Sequence, residues 1–125
     1  MAVSIGSNVQ REENVRAALH ELRRRFGDLR VSSVYESAPV GMTGENFYNL
    51  VAAFDTDEPP QAVVQALRAI EAVRERVRGD QRFVSRTLDL DLLLYGDRVI
   101  DEPGLSVPRD DIVSCAYVLW PLAEI

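Results

Sequence analysis

The sequence predicts an α+β sandwich in the order β-α-β-β-α-β, with an antiparallel sheet and helices on one face. Three observations carry this prediction. Two segments repeat apolar residues at helical spacing: Val15, Ala18, Leu19, Leu22 and Phe26 in the first, and Val63, Leu67, Ile70 and Val77 in the second. Four other segments, at 2–5, 28–36, 47–54 and around Asp89, are short and extended in pattern. The 125 residues contain no repeat, low-complexity tract or linker, so residues 1–125 are expected to form a single domain.

Taken in order, Ala2 to Ile5 is a short strand and Gln10 to Phe26 a helix. Asp28 to Glu36 alternates as a strand. Ser37 to Asn46, with Pro39, Gly41 and Gly44, is a loop. Phe47 to Phe54 is the next strand. Pro59 and Pro60 open the second helix, with Asp57 or Glu58 near its cap. An arginine-rich loop leads to the strand of Asp89 and Asp91. A short hairpin through Gly96-Asp97 to Val99-Ile100 follows, then a last helical turn or two between Ile112 and Leu122. This order is that of a ferredoxin-like βαββαβ sandwich.

Composition excludes several function classes. A net charge of −6 argues against nucleic acid as a partner. No apolar run reaches membrane-spanning length and no signal peptide is visible, so a cytoplasmic protein is expected. The lone Cys115 rules out an internal disulfide framework and any cysteine-based zinc site. Every basic residue but His20 is an arginine. Without lysine there is no Walker-type phosphate loop, and a nucleotide site must rely on arginine and metal. His20 sits beside Leu19 and near Leu22 in the first helix, at a surface or boundary position.

The stretch from Arg86 to Gly96 carries the chemistry. On a strand, Asp89 and Asp91 point to one face, and Leu88, Leu90, Leu92 and Leu94 to the other, into a core. Two carboxylates so placed repel each other and call for a positive partner. Oxygen ligands of this kind suit Mg²⁺, which takes one or two carboxylates plus substrate phosphates. The plain alternative is a solvated strand with outward aspartates. Arg74, Arg76, Arg78, Arg82 and Arg86 lie just upstream. Arg74 suits a helix C-terminus. The arginines beyond Gly79 are better matched to phosphate, which guanidinium groups bind in a fork. Arginines beside a Mg²⁺ site point to phosphoryl-type transfer.

Arg76-Val77-Arg78, followed by Arg82-Phe83-Val84-Ser85-Arg86-Thr87-Leu88-Asp89-Leu90-Asp91-Leu92-Leu93-Leu94-Tyr95-Gly96, resembles the 6-hydroxymethyl-7,8-dihydropterin pyrophosphokinases of folate biosynthesis. Ile5-Gly6-Ser7-Asn8, the segment Ser33 to Gly41, Phe47 to Val51, Val107-Pro108 and Tyr117 to Ile125 resemble the same family in order and spacing. The resemblance implies transfer of pyrophosphate from ATP to the hydroxymethyl group of the reduced pterin, giving AMP. It implies two Mg²⁺ held by Asp89 and Asp91. Arg76 and Arg86 would act on the transferred group, and Arg78, Arg86 and Arg109 would bind ATP. The pterin would lie on Asn49 and between the aromatics Phe47 and Tyr117, with Ser37, Ala38 and Val40 along its loop side. Glu71 would orient neighbours or lie on the helix surface, and Ser7 and Asn8 would begin a structural turn.

Some positions depart from the family pattern. Arg109 stands where the family has His, Cys115 where it has Arg, and Phe83 where a Trp is common. The family runs on past the equivalent of Ile125, which raises the expectation of a homo-oligomer. Partners are otherwise expected to be small molecules, with no nucleic acid and no membrane. Two alternatives stay open on the sequence. One is a divergent relative transferring phosphate or pyrophosphate to another alcohol; the other is a non-catalytic nucleotide- or pterin-binding module.

Overall fold

A computed structural model of the chain describes residues 1–8, 10–37, 46–78, 88–109, 112 and 116–125, apart from the side chains of 75–78, 116 and 117. The elements are β1 (Ala2–Ser7), α1 (Arg11–Phe26), β2 (Arg30–Val31), β3 (Tyr35–Ser37), β4 (Phe47–Ala53), α2 (Pro60–Arg78), β5 (Asp89–Leu94), β6 (Ile100–Glu102), β7 (Leu105–Val107) and α3 (Ala116–Glu124). The main sheet has the order β2-β4-β1-β5, with β3 also paired to β4. All its pairings are antiparallel. The fold is the α+β class that the periodicities predict.

Two helices cover one face of the sheet. Val15, Ala18 and Leu22 of α1 and Val63 and Leu67 of α2 pack on Val3, Ile5, Leu50, Ala52, Leu88, Leu90 and Leu92. Burying a Val or Leu side chain of this kind stabilises by roughly 1.5–3 kcal/mol. α1 carries Glu12 and Glu13 in its first turn and Arg23, Arg24 and Arg25 in its last, which complements the helix dipole. Gly27, at φ 85, ends it with its N–H on the Arg23 carbonyl. α2 begins at Pro60, next to Glu58 as expected; the Pro59 carbonyl accepts from Ala62 and Val63, and the Glu58 carboxylate pairs with Arg25 of α1. Arg74 does more than face a helix dipole: its Nε donates to Oδ1 of the buried Asn14, joining α2 to α1 at 2.8 Å.

α3 lies on the opposite face. Val118 packs there on Ala2, Val51 and Leu93, with Leu122 beside them. Leu94 was expected with Leu88, Leu90 and Leu92, but packs on this second cluster. The cause is a register shift: Val3 lies opposite Leu92 and Ala2 opposite Leu94, so Leu93 is an extra residue and alternation breaks. Among the described residues α3 packs on the Ala2–Val51–Leu93 end of its face and also meets β3. The candidate site lies on the same face.

Two further expectations are corrected. The strand expected over 28–36 is divided. Val31 lies opposite Ala52 and Tyr35 opposite Asn49, four steps on one strand against three on the other. The Ser32 hydroxyl fills the irregularity by accepting the Val51 N–H and donating to the Ser33 carbonyl. The chain does turn at Gly96, where the Arg98 N–H reaches the Tyr95 carbonyl. Yet β6 pairs with β7 and not with β5, closing a separate hairpin across Pro103-Gly104. Gly104 sits at φ 79, which a side chain would strain. Among the described residues no helix is long and apolar enough to cross a membrane.

Candidate active site

The site is a row of residues drawn from four strands. Residues opposite one another in antiparallel neighbours share a face. Tyr35 lies opposite Asn49, Asn49 opposite Gly6, and Gly6 opposite Asp89. The adjoining row toward α3 is Val51, Ser4 and Asp91. On the other side Phe47 lies opposite Ser37. Ser37, Phe47, Asn49, Asp89 and Asp91 therefore stand on one face of the sheet, with Asp91 in the row whose Val51 packs under α3.

Gly6 is the gap in this row. Asn49 and Asp89 are two strands apart, about 10 Å at ordinary strand spacing. Gly6 puts no side chain between them. Asn49 is only 7% exposed, and its Nδ2 donates to the Ser37 hydroxyl at 2.7 Å. That bond turns Oδ1 over Gly6, where an added Cβ would lie 3.4 Å away. A fixed amide offers a donor and an acceptor to a heterocycle edge.

Asp89 and Asp91 flank Leu90, whose side chain is fully buried in the helix-side core. Both carboxylates are partly exposed. Asp91 Oδ1 lies 3.4 Å from Arg68 Nη2 and 3.8 Å from Arg109 Nη1. The Arg109 N–H also donates to the Leu93 carbonyl, which returns the chain alongside β5. Among the described residues no three His, Cys, Asp or Glu side chains cluster as a metal cage. Two carboxylates of one strand fit Mg²⁺, which takes one or two carboxylates and keeps waters and substrate phosphates as its other ligands.

Glu71 is 9% exposed and is not a surface residue. Its Oε2 accepts the Leu90 N–H at 2.7 Å, and its Oε1 accepts from Arg68 Nη1. Burial works against the Arg68 charge, but Glu71 and then Asp91 more than offset it, so the guanidinium pKa is raised. Arg76 and Arg78 lie in the last turn of α2 and Tyr117 at the start of α3; their side chains lie outside the described residues, as do Arg86, Ala38 and Val40.

Gly6, Arg68, Tyr35 and Glu124 escape a reading of the sequence. A glycine inside a strand is a signal of close approach and could have marked Gly6. The reach of Arg68 to Asp91 across 23 residues has no such signal. Glu124, near the end of α3, closes the outer wall. Its carboxylate accepts the Ser33 N–H at 2.8 Å, the Ser33 hydroxyl at 2.9 Å and the Tyr35 hydroxyl at 2.8 Å. The Ser33 N–H, then the two hydroxyls, hold the Glu124 carboxyl below its ordinary pKa. The bond to Glu124 raises that of Tyr35. A depressed carboxyl contributes stability above its unfolded pKa and loses it as pH falls through the folded one. Glu124→Gln is therefore expected to melt below wild type at neutral pH. The gap should close as pH drops below the ordinary carboxylate range; a gap constant with pH in thermal melts would refute the charge role.

Comparison with known proteins gives a consistent result. The model of the 7,8-dihydro-6-hydroxymethylpterin-pyrophosphokinase family matches residues 2–125. The chain is 42% identical over 127 aligned positions to the 2-amino-4-hydroxy-6-hydroxymethyldihydropteridine pyrophosphokinase of Pseudomonas aeruginosa, covering 98% of this chain and 78% of that protein. It is 35% identical to the enzyme of the same name from Haemophilus influenzae, covering 98% and 79%. For the Bacillus subtilis enzyme of that name the identity is 34%, covering 98% and 75%. With its Asn49–Gly6–Asp89 row and the arginines around Asp91, the chain belongs to the 7,8-dihydro-6-hydroxymethylpterin-pyrophosphokinase family.

Proposed function

We propose that the chain transfers pyrophosphate from ATP to the hydroxymethyl group of 6-hydroxymethyl-7,8-dihydropterin, a step of folate biosynthesis that releases AMP. The observation that supports this best is the Asn49–Gly6–Asp89 row. The Asn49 amide and the Asp89 and Asp91 carboxylates share one face of the sheet, with Gly6 between Asn49 and Asp89. The pterin edge lies on Asn49, held by Ser37, with Phe47 and Tyr117 as its aromatic walls and Ala38 and Val40 on the loop side. Its hydroxymethyl group then points toward Asp89.

Asp89 and Asp91 would hold two Mg²⁺, which would supply positive charge to offset that of the triphosphate. Arg78, Arg86 and Arg109 bind the ATP phosphates, and Arg76 and Arg86 stabilise the charge on the group in transit. Arg109, where relatives of this family carry His, stays charged at every relevant pH, so its contact with phosphate does not titrate. The whole of residues 1–125 acts as one domain, in the cytoplasm, on small molecules.

The test is product identity. Protein, ATP, Mg²⁺ and the hydroxymethyl-dihydropterin are expected to give AMP in step with pterin consumption. ADP in place of AMP would mean phosphoryl transfer, and no nucleotide product would mean a binding module.

A further inference from the structure

The sheet edge beside the two aspartates is closed by side chains in place of a strand. β5 is the last strand on its side of the sheet. The Leu90 N–H goes to Glu71 Oε2 at 2.7 Å, and the Leu90 carbonyl accepts from Arg68 Nη2 at 2.9 Å. Arg68 Nη1 donates to Glu71 as well. Only after these does Nη2 reach Asp91 Oδ1, at 3.4 Å, the longest of the Arg68 contacts. Arg68 is thus seated by two anchors that do not involve Asp91, and its charge is aimed at a carboxylate that Asp89 repels.

We infer that Arg68 is a positioning residue, the nearer of two resident counter-ions of Asp91 (Arg109 is the other), which steadies the carboxylate pair before a divalent cation arrives and then cedes Asp91 without leaving its place. This rests on the reading of Asp89 and Asp91 as metal ligands. The exchange breaks one long contact and leaves the anchors on Glu71 and Leu90 intact. Arginine cannot discharge to step aside, so its competition with the metal is Coulombic and has a definite sign. A neutral residue at 68 leaves the metal-free protein less stable and the metal better bound.

Arg68→Gln keeps a donor for the Leu90 carbonyl and removes the charge; the probe is Mg²⁺ alone, without nucleotide. The metal-free variant is expected to melt several degrees below wild type and to bind Mg²⁺ severalfold more tightly by calorimetry. The melting gap should narrow as Mg²⁺ is added. Arg68→Lys should restore both properties. In an Asp91→Asn background, Arg68→Gln should cost less than in wild type, the remaining loss being that of the Glu71 ion pair; if Arg68→Gln alone does not fold, at least partial recovery of folding in that background supports the inference and no recovery overturns it. It is also overturned by unchanged Mg²⁺ affinity with equal melting loss at all Mg²⁺ concentrations, or by a Lys variant as impaired as Gln, either of which makes Arg68 a strand-edge clip only. A wild-type protein that neither binds Mg²⁺ nor is stabilised by it overturns the metal assignment, and this inference with it.

Discussion

Asp91→Ala is expected to lower turnover about 10³-fold or more while the protein stays folded, and Asp89→Ala is expected to do the same. Transfer of this type depends on positioning and on charge stabilisation, so losing a group that organises the charge is costly. Neither carboxylate belongs to the buried core. β5 is held in the core by Leu88, Leu90 and Leu92, which point away from the site. Its Leu90 backbone is held by Glu71 and Arg68. Removing one of two like charges also relieves repulsion between them. AMP release under saturating substrates, set beside a thermal melt, checks both halves. Near-wild-type turnover in either variant would refute the assignment of that aspartate.

Gly6→Val should abolish pterin binding and lower kcat/KM by at least ~10²-fold, the scale of loss when a reacting group is displaced by about 1 Å. The fold should tolerate the change. Gly6 is in a central strand, where valine is favoured, and its Cβ would meet Asn49 Oδ1 at 3.4 Å, an ordinary contact. The branched methyl groups would then stand in the gap between Asn49 and Asp89. ATP binding should survive, because Asp89 and Asp91, with Arg109 beside Asp91, lie on the other side of that gap. Calorimetry with each ligand separately decides: unimpaired pterin binding would show that the ring does not lie over Gly6, and equal loss of both ligands would show general damage to the sheet.

The elements themselves were legible in the sequence because periodicity is local. Val15, Ala18 and Leu22, and Val63 and Leu67, recur at helical spacing and are buried in α1 and α2. Leu88, Leu90 and Leu92 alternate with Asp89 and Asp91, and the core and site faces of β5 follow from that alone. Local pattern failed where alternation broke. Nothing in Leu92-Leu93-Leu94 tells which leucine is the extra one, since three leucines suit either face; the register shift against Ala2 and Val3 decides it. Likewise Asp28 to Glu36 reads as one strand until the Ser32 hydroxyl is seen to accept the Val51 N–H.

The sequence by itself determined the fold class, the paired carboxylates and the arginine-rich chemistry around them, because each is written within a few residues. Tertiary structure alone decided that Asn49, Gly6 and Asp89 form one row, that Arg68 faces Asp91, that Glu124 closes the wall on Tyr35, and that β6 pairs with β7. Those relations join segments tens of residues apart, or choose among nearby strands. They depend on register, which is set by burying both faces of the sheet at once under α1 and α2 on one side and α3 on the other.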